Sequence, residues 1–230
     1  MSFVYSRRQA LWLSAGVLIG CSQRRSPIDA SAPLTYASSP SPSPLPMPMG
    51  SAPASGATPT CIETHDNIEG PYYRANAPER ADLTEPGMAG TPLVLEGRVS
   101  GLDCSNGIAG IELDVWHATH DGHYDNDGTM RLGDKLLLRG KVKTDAEGRY
   151  RVKTIVPGRY LNGRQYRPAH VHVKVRPPKG VALAPLTTQL YFPGDPYNDI
   201  DPFIHRSLVM GIEKAQSGLR GHFDFVLKTA

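Results

Sequence analysis

Apolar and polar side chains alternate along several short stretches of this chain, and clear helical periods are scarce. Ile111, Leu113 and Val115 fall on one face of an extended segment, with Glu112 and Asp114 on the other. That two-residue period is the mark of a half-buried strand. Strand-like segments recur over 93–99, 111–118, 136–143, 150–155, 170–176, 186–192 and 223–227. Turn residues separate them, drawn from 23 glycines and 21 prolines in 230 residues. Many short strands joined by loops predict an all-β fold, a β-sandwich of short, mostly antiparallel strands with long connections. A barrel is the alternative closure. No internal repeat is evident, and a short helix is expected over 201–210.

The strand pattern starts only after residue 60, and what precedes it reads as an address. Ser6-Arg7-Arg8 leads into an apolar run from Ala10 to Gly20. The run is too short for a transmembrane helix and fits the core of a signal peptide over 1–20. The paired arginines point to twin-arginine export. The run ends Leu18-Ile19-Gly20-Cys21, which resembles a bacterial lipobox, so Cys21 is the expected lipidation site. Membrane attachment through acylated Cys21 follows, each buried methylene adding about 0.8 kcal/mol. Ser22 in place of aspartate favours the outer membrane of the cell envelope. Residues 21–60 contain Ser38-Ser39-Pro40-Ser41-Pro42-Ser43-Pro44 and few large apolar side chains, as a disordered spacer does. The folded domain is expected over 61–230. The formal charge is +3, and about +1 without the leader, which gives no case for a nucleic-acid partner. Cys61 and Cys104 both lie outside the strand segments and form a candidate disulfide in an oxidising compartment. Two separate buried thiols are the alternative.

The candidate chemistry lies in two phenols and two imidazoles. His170-Val171-His172 sits in an apolar-rich strand, so both imidazoles project from the same face and can grip one ion. Tyr160 follows a Pro157-Gly158 turn that sends the chain back over the sheet, and Tyr124 lies in the loop after the strand that ends near Trp116. Histidine alone suits zinc, copper or iron. Phenolate is a hard anionic donor, and two of them shift the preference to a hard trivalent ion such as Fe(III).

These residues stand in motifs that resemble the intradiol ring-cleavage dioxygenases, the family of catechol 1,2-dioxygenase and protocatechuate 3,4-dioxygenase. The similarity covers most of 61–210. It includes Glu69-Gly70-Pro71-Tyr72-Tyr73, Val115-Trp116-His117-Ala118 and Gly122-His123-Tyr124. It is strongest at Pro157-Gly158-Arg159-Tyr160 and Arg167-Pro168-Ala169-His170-Val171-His172. The resemblance implies a non-haem Fe(III) held by Tyr124 and His170 as equatorial ligands and by Tyr160 and His172 as axial ones. It implies a catechol-type substrate and O2, with ring opening between the hydroxylated carbons to a muconate-type diacid. Tyr160 is then a catalytic base as well as a ligand. Arg167 stabilises charge near the substrate, Gln189 positions that arginine, and Tyr72 lines the pocket. Asn162 is a second pocket candidate, at a place where protocatechuate enzymes often carry tryptophan. The leader and spacer replace a helical dimerisation region found in catechol 1,2-dioxygenases, which leaves homo-oligomerisation open. Two rival readings remain: a binding module that has lost turnover, and a copper or zinc site at His117, His120 and His123.

Overall fold

A computed structural model of the chain describes residues 61–230 apart from Arg131. The leader, Cys21 and the Pro/Ser-rich segment therefore lie outside the described residues. Eleven strands are present among the described residues: β1 (Pro92–Gly101), β2 (Glu112–Trp116), β3 (Arg139–Lys143), β4 (Arg149–Ile155), β5 (Leu161–Asn162), β6 (Gln165–Tyr166), β7 (His170–Arg176), β8 (Leu186–Tyr191), β9 (Gly211–Ala215), β10 (Gly218–His222) and β11 (Phe225–Leu227). They form the expected β-sandwich. One sheet runs β3-β2-β7-β8, antiparallel throughout. The other is centred on β1. Strand β4 pairs antiparallel along one edge of it, and β10 and then β11 pair in parallel along the other. Strands β5 and β6 make a separate small hairpin.

The apolar faces of the two sheets meet in one core. Leu113 and Val115 of β2, Val171, Val173 and Val175 of β7, and Leu190 of β8 lie in the same cluster as Leu93, Leu95, Tyr150, Val152 and Phe225 from the opposite sheet. Each such side chain contributes about 1.5–3 kcal/mol when fully buried. Alternation then sends the intervening residues of the first sheet to its outer face. Register aligns Arg139, Trp116, His172 and Gln189 in one row across the four strands, with His170 opposite Tyr191 in the next row. The functional candidates therefore stand on the sheet surface turned away from the core.

Several boundaries differ from the sequence expectation. The strand expected from 136 begins only at Arg139, because Leu138 has φ 52°, a left-handed conformation that breaks an extended run. Strands β9 and β10 were not anticipated. Gly218-Leu219-Arg220-Gly221-His222 offers a single large apolar side chain, and its pairing with β1 is supplied by backbone. The helix expected over 201–210 is a short 3₁₀ turn, Arg206–Leu208. The chain there is held extended by long-range bonds, from Met210 N–H to Tyr191 O and from Asn67 Nδ2 to Phe203 O.

Cys61 and Cys104 are joined by a disulfide, with Cα atoms 5.7 Å apart. The bond fastens the start of the described chain to the turn after β1, where the Cys61 N–H also donates to Leu102 O. It closes a loop across a sequence separation of 43, and a loop of that length restricts the unfolded chain by about 4 kcal/mol in the chain-entropy account. His117 is buried at the end of β2, with Nδ1 2.7 Å from Ala118 O and Nε2 2.6 Å from Thr154 Oγ1. The carbonyl can only accept, so Nδ1 carries the proton and Nε2 accepts from the threonine hydroxyl. Burial lowers its pKa to about 4, against the Ala118 bond that raises it, and Arg139 lowers it further.

Two outcomes are expected. Replacing both Cys61 and Cys104 by serine lowers the unfolding free energy by about 2–4 kcal/mol in denaturant titrations. For His117 the unfolded imidazole binds a proton first, so its contribution is complete above pH 6.5 and is lost as pH falls towards 4. His117→Gln should therefore flatten the acid limb of stability by up to about 1.4 kcal/mol per pH unit in that window, measured as urea midpoints at pH 5 and 7.

Candidate metal centre

Strand β7 places the two imidazoles. His170 and His172 share its outer face, both 2% exposed, and their Nε2 atoms stand 3.2 Å apart. His170 Nδ1 lies 2.7 Å from Pro168 O, which fixes the proton on Nδ1 and leaves the Nε2 lone pair directed at its neighbour. Burial, then the nearby Arg167 charge, drives the His170 pKa down to about 3 against the opposing pull of the Pro168 bond. Burial and the adjacent His170 hold His172 well below its ordinary value. Both rings are thus neutral near pH 7, the two Nε2 atoms meet at hydrogen-bond distance, and His172 Nδ1 is buried with no partner among the described residues. Trp116 stacks flat on His172 at 4.8 Å and fixes that ring's plane.

The two phenols arrive on loops. Tyr124 and Tyr160 meet edge to face at 5.5 Å, Tyr160 lies 5.6 Å from His170, and Tyr124 lies 6.3 Å from His172. Close backbone contact makes this convergence. Gly158 N–H donates to Thr119 O, and Gly122, at φ 88°, runs so near Arg159 that a Cβ would stand 2.1 Å from its carbonyl oxygen. Any side chain at Gly122 would push the two tyrosine loops apart. Tyr72 stacks on Tyr124 at 4.4 Å and meets Tyr160 edge-on at 5.6 Å.

Buried ion pairs hold these loops. Asp125, next to Tyr124, accepts from Arg139 Nε, with a second contact from Arg139 Nη2, and from the Leu137 N–H. Arg159, next to Tyr160, donates through Nε to both oxygens of Asp195, at 3.1 and 3.0 Å. The same Asp195 accepts from the N–H of Ala169, the residue before His170. Arg167 is 3% exposed, its guanidinium 5.9 Å from the Tyr160 ring centre and bonded through Nη2 to Gln189 Oε1 at 2.8 Å. Gln189 Nε2 in turn donates to Ile68 O.

The donor set fits a hard cation. The Tyr124 hydroxyl is buried and has no hydrogen-bond partner among the described residues. Burial first, then Tyr160, raises its pKa, while Arg167 and Arg139 act the other way. A buried O–H without an acceptor is costly, and a cation that replaces its proton removes the cost. Among the described residues no three His, Cys, Asp or Glu side chains group to hold an ion, so a site here needs the phenols as ligands. The His117, His120 and His123 run is not drawn together: His117 binds Thr154, His120 lies by Asp121, and His123 faces Asp127.

The structure thus brings Tyr124, Tyr160, His170, His172, Arg167, Gln189 and Tyr72 into one neighbourhood. Asn162 lies exposed on the β5–β6 hairpin, paired with Gln165. The sequence reading passed over Asp125, Arg139, Asp195, Asp201 and Tyr191. The available signal was Asp125 and Arg159, charged residues directly beside the two phenols in the sequence.

A sequence model of a family described as Dioxygenase matches residues 68–229. A chlorocatechol 1,2-dioxygenase of Pseudomonas sp. (strain P51) is 35% identical over 181 residues, covering 71% of this chain and 70% of that protein. The chain spans 54–55% of the length of other chlorocatechol 1,2-dioxygenases that it matches. Among solved structures, the dioxygenase domain of a carbohydrate-binding fusion protein from Streptomyces sp. SirexAA-E is 38% identical, with TM-score 0.64 over 74% of this chain and 100% of that one. The 3-chlorocatechol 1,2-dioxygenase from Rhodococcus opacus 1CP is 27% identical, with TM-score 0.65 over 73% of each chain. On a match that covers well over half its length, this chain belongs to the intradiol ring-cleavage dioxygenase family.

Proposed function

We propose that this protein is a non-haem Fe(III)-dependent intradiol dioxygenase that inserts both atoms of O2 between the hydroxylated carbons of a catechol, giving a muconate-type diacid. The observation that carries the reading is the convergence of two neutral, buried imidazoles with two buried phenols, one of them without any hydrogen-bond partner. Tyr124, Tyr160, His170 and His172 would hold the metal. Bound Fe(III) would supply a hard Lewis-acid centre that takes both catechol oxygens and draws electron density from the ring.

The chain's own groups divide the remaining work. His170 and His172 would offer neutral nitrogen, and Tyr124 and Tyr160, bound as phenolates, would offset much of a trivalent ion's charge. Tyr160 leads directly into β5, and its phenolate oxygen would accept one substrate proton. Arg167, fixed beside the Tyr160 ring, supplies a positive group for charge that develops on the substrate. Tyr72 and Trp116 wall the site with aromatic surface and keep water from the donors. Export and a lipid anchor on Cys21 are part of the same proposal, supported by Arg7-Arg8, the apolar run and the Leu18–Cys21 motif. Such an enzyme would meet its aromatic substrate in the cell envelope.

The iron-loaded protein should show a broad visible tyrosinate charge-transfer band that shifts on anaerobic addition of catechol and decays as O2 is admitted and consumed. Tyr124→Phe should remove much of that band and cut oxygen uptake by more than roughly 100-fold, beyond the 10–100-fold typical of losing an outer partner of a metal ligand. A protein that stays colourless after ferric reconstitution would remove the site. Full-length protein expressed with labelled palmitate should carry the label, and Cys21→Ala should abolish it; unlabelled wild type would remove the anchor.

A further inference from the structure

Arg167 spends only part of its guanidinium on Gln189. Its Nε donates to Asp201 Oδ1 at 3.2 Å, and its Nη2 reaches Asp201 Oδ2 at 2.8 Å and Tyr191 Oη at 3.1 Å. Asp201 and Arg167 side chains are 1% and 4% exposed. The ring of Phe203 covers the guanidinium at 4.8 Å. Nη1 is buried and has no partner among the described residues. One edge of the fork is thus fully engaged, and the guanidinium also lies within reach of the Tyr160 side chain.

The carboxylate does what Gln189 cannot. Gln189 Oε1 is a neutral acceptor already shared with the Tyr191 hydroxyl at 3.0 Å. It offers a single oxygen, about which the guanidinium could turn. The two oxygens of Asp201 meet two nitrogens of a rigid planar fork, which sets its orientation and compensates its charge out of water. Asp201 is itself set by the fold. Its N–H donates to Tyr197 O, Ile204 N–H donates back to Asp201 O, and the following loop is tied by Asn67 Nδ2 to Phe203 O.

We infer that Asp201 is a positioning residue for ring cleavage: by occupying the Nε–Nη2 edge of Arg167 it leaves Nη1 as the donor for charge developing on the bound catechol. The inference rests on the dioxygenase reading above. Asp201 touches neither the metal ligands nor the substrate, so its loss acts through the arginine's aim.

The test uses the iron-loaded full chain with Asp201→Asn and Asp201→Glu. Removing a preorganised donor outright costs about 10²–10³ in kcat, so misaiming it in Asp201→Asn should lower kcat for catechol by about 30–100-fold. KM and the anaerobic Kd for 4-nitrocatechol, read by visible titration, should stay within about threefold, and the charge-transfer band should be unchanged, because the ligands are intact. Asp201→Glu keeps the charge with a shifted anchor and should recover part of the loss, to about tenfold below wild type. A crystal structure of Asp201→Asn should show Arg167 turned from its place. Wild-type kcat in Asp201→Asn, or Arg167 unmoved there, overturns the proposal. If Asp201→Asn fails to fold, Asp201→Glu decides: full stability with kcat reduced supports the role, and wild-type kcat overturns it. If the wild type itself takes up no oxygen with catechol, the dioxygenase reading fails, and the Arg167 position in the variant crystal still decides the positioning role.

Discussion

Buried arginine–aspartate pairs are the constraint on which this site depends. A strand can present two histidines by alternation alone, but nothing in a sheet orders the phenols that must face them. Asp125 with Arg139 fixes the Tyr124 loop to the first sheet, and Asp195 with Arg159 fixes the Tyr160 loop. Asp195 does more, because the same carboxylate holds the Ala169 N–H. One anion thereby locks the approach of Tyr160 to that of His170. Such pairs add little net stability over apolar substitutes, since desolvation cancels much of the attraction. What they supply is direction: a fork and a carboxylate fit in few orientations, whereas apolar packing tolerates many. The same logic makes each partner indispensable, since removing one leaves a buried charge at a cost of roughly 3–5 kcal/mol.

The site and the core are separated by a single sheet. Val171, Val173 and Val175 face inward while His170, His172, Lys174 and Arg176 face outward. Polar demands at the centre therefore do not intrude on the apolar interior. The outer face carries its own smaller cluster, Trp116, Ala118, Tyr124 and Tyr160 with Tyr72 and Tyr73 against it. That aromatic shell desolvates the donors, which keeps both histidines neutral and raises the Tyr124 pKa. Dryness prepares nitrogen donors and opposes the phenolate. A cation held by these four groups, as proposed, would resolve the opposition.

Much of this was legible in the sequence wherever a period or a motif carried it. His170-Val171-His172 read as two outward imidazoles, and the segment 111–116 as a strand with Leu113 and Val115 inward, because alternation is a local rule. The helix expected over 201–210 shrinks to a 3₁₀ turn, since Asp201, Phe203 and Met210 are bonded to the distant residues Arg167, Asn67 and Tyr191, which no local pattern reveals. Strand β10 escaped for the opposite reason: Gly218 and Gly221 weaken its own preference, and its place is set by β1. The ligand candidates came from a resemblance to known motifs. The ion pairs that aim them were hidden, because Arg159 and Asp195 stand far apart in the chain and only the folded loops bring them together.

The same hidden layer governs which part of the site can vary. Residues on the sheet row, Arg139, Trp116, His172 and Gln189, are fixed by register, and a change there moves several neighbours at once. The loop bearing Asp201 and Phe203 is held to the rest by side-chain bonds and a cation–ring contact on Arg167. It can change without disturbing strand pairing, yet it touches Arg167, the proposed substrate-facing cation. The histidine pair is therefore built into the most constrained part of the fold, and the orientation of Arg167 into a less constrained one. In the proposed enzyme, charge stabilisation around the substrate would be retunable while the four donor residues stay unchanged.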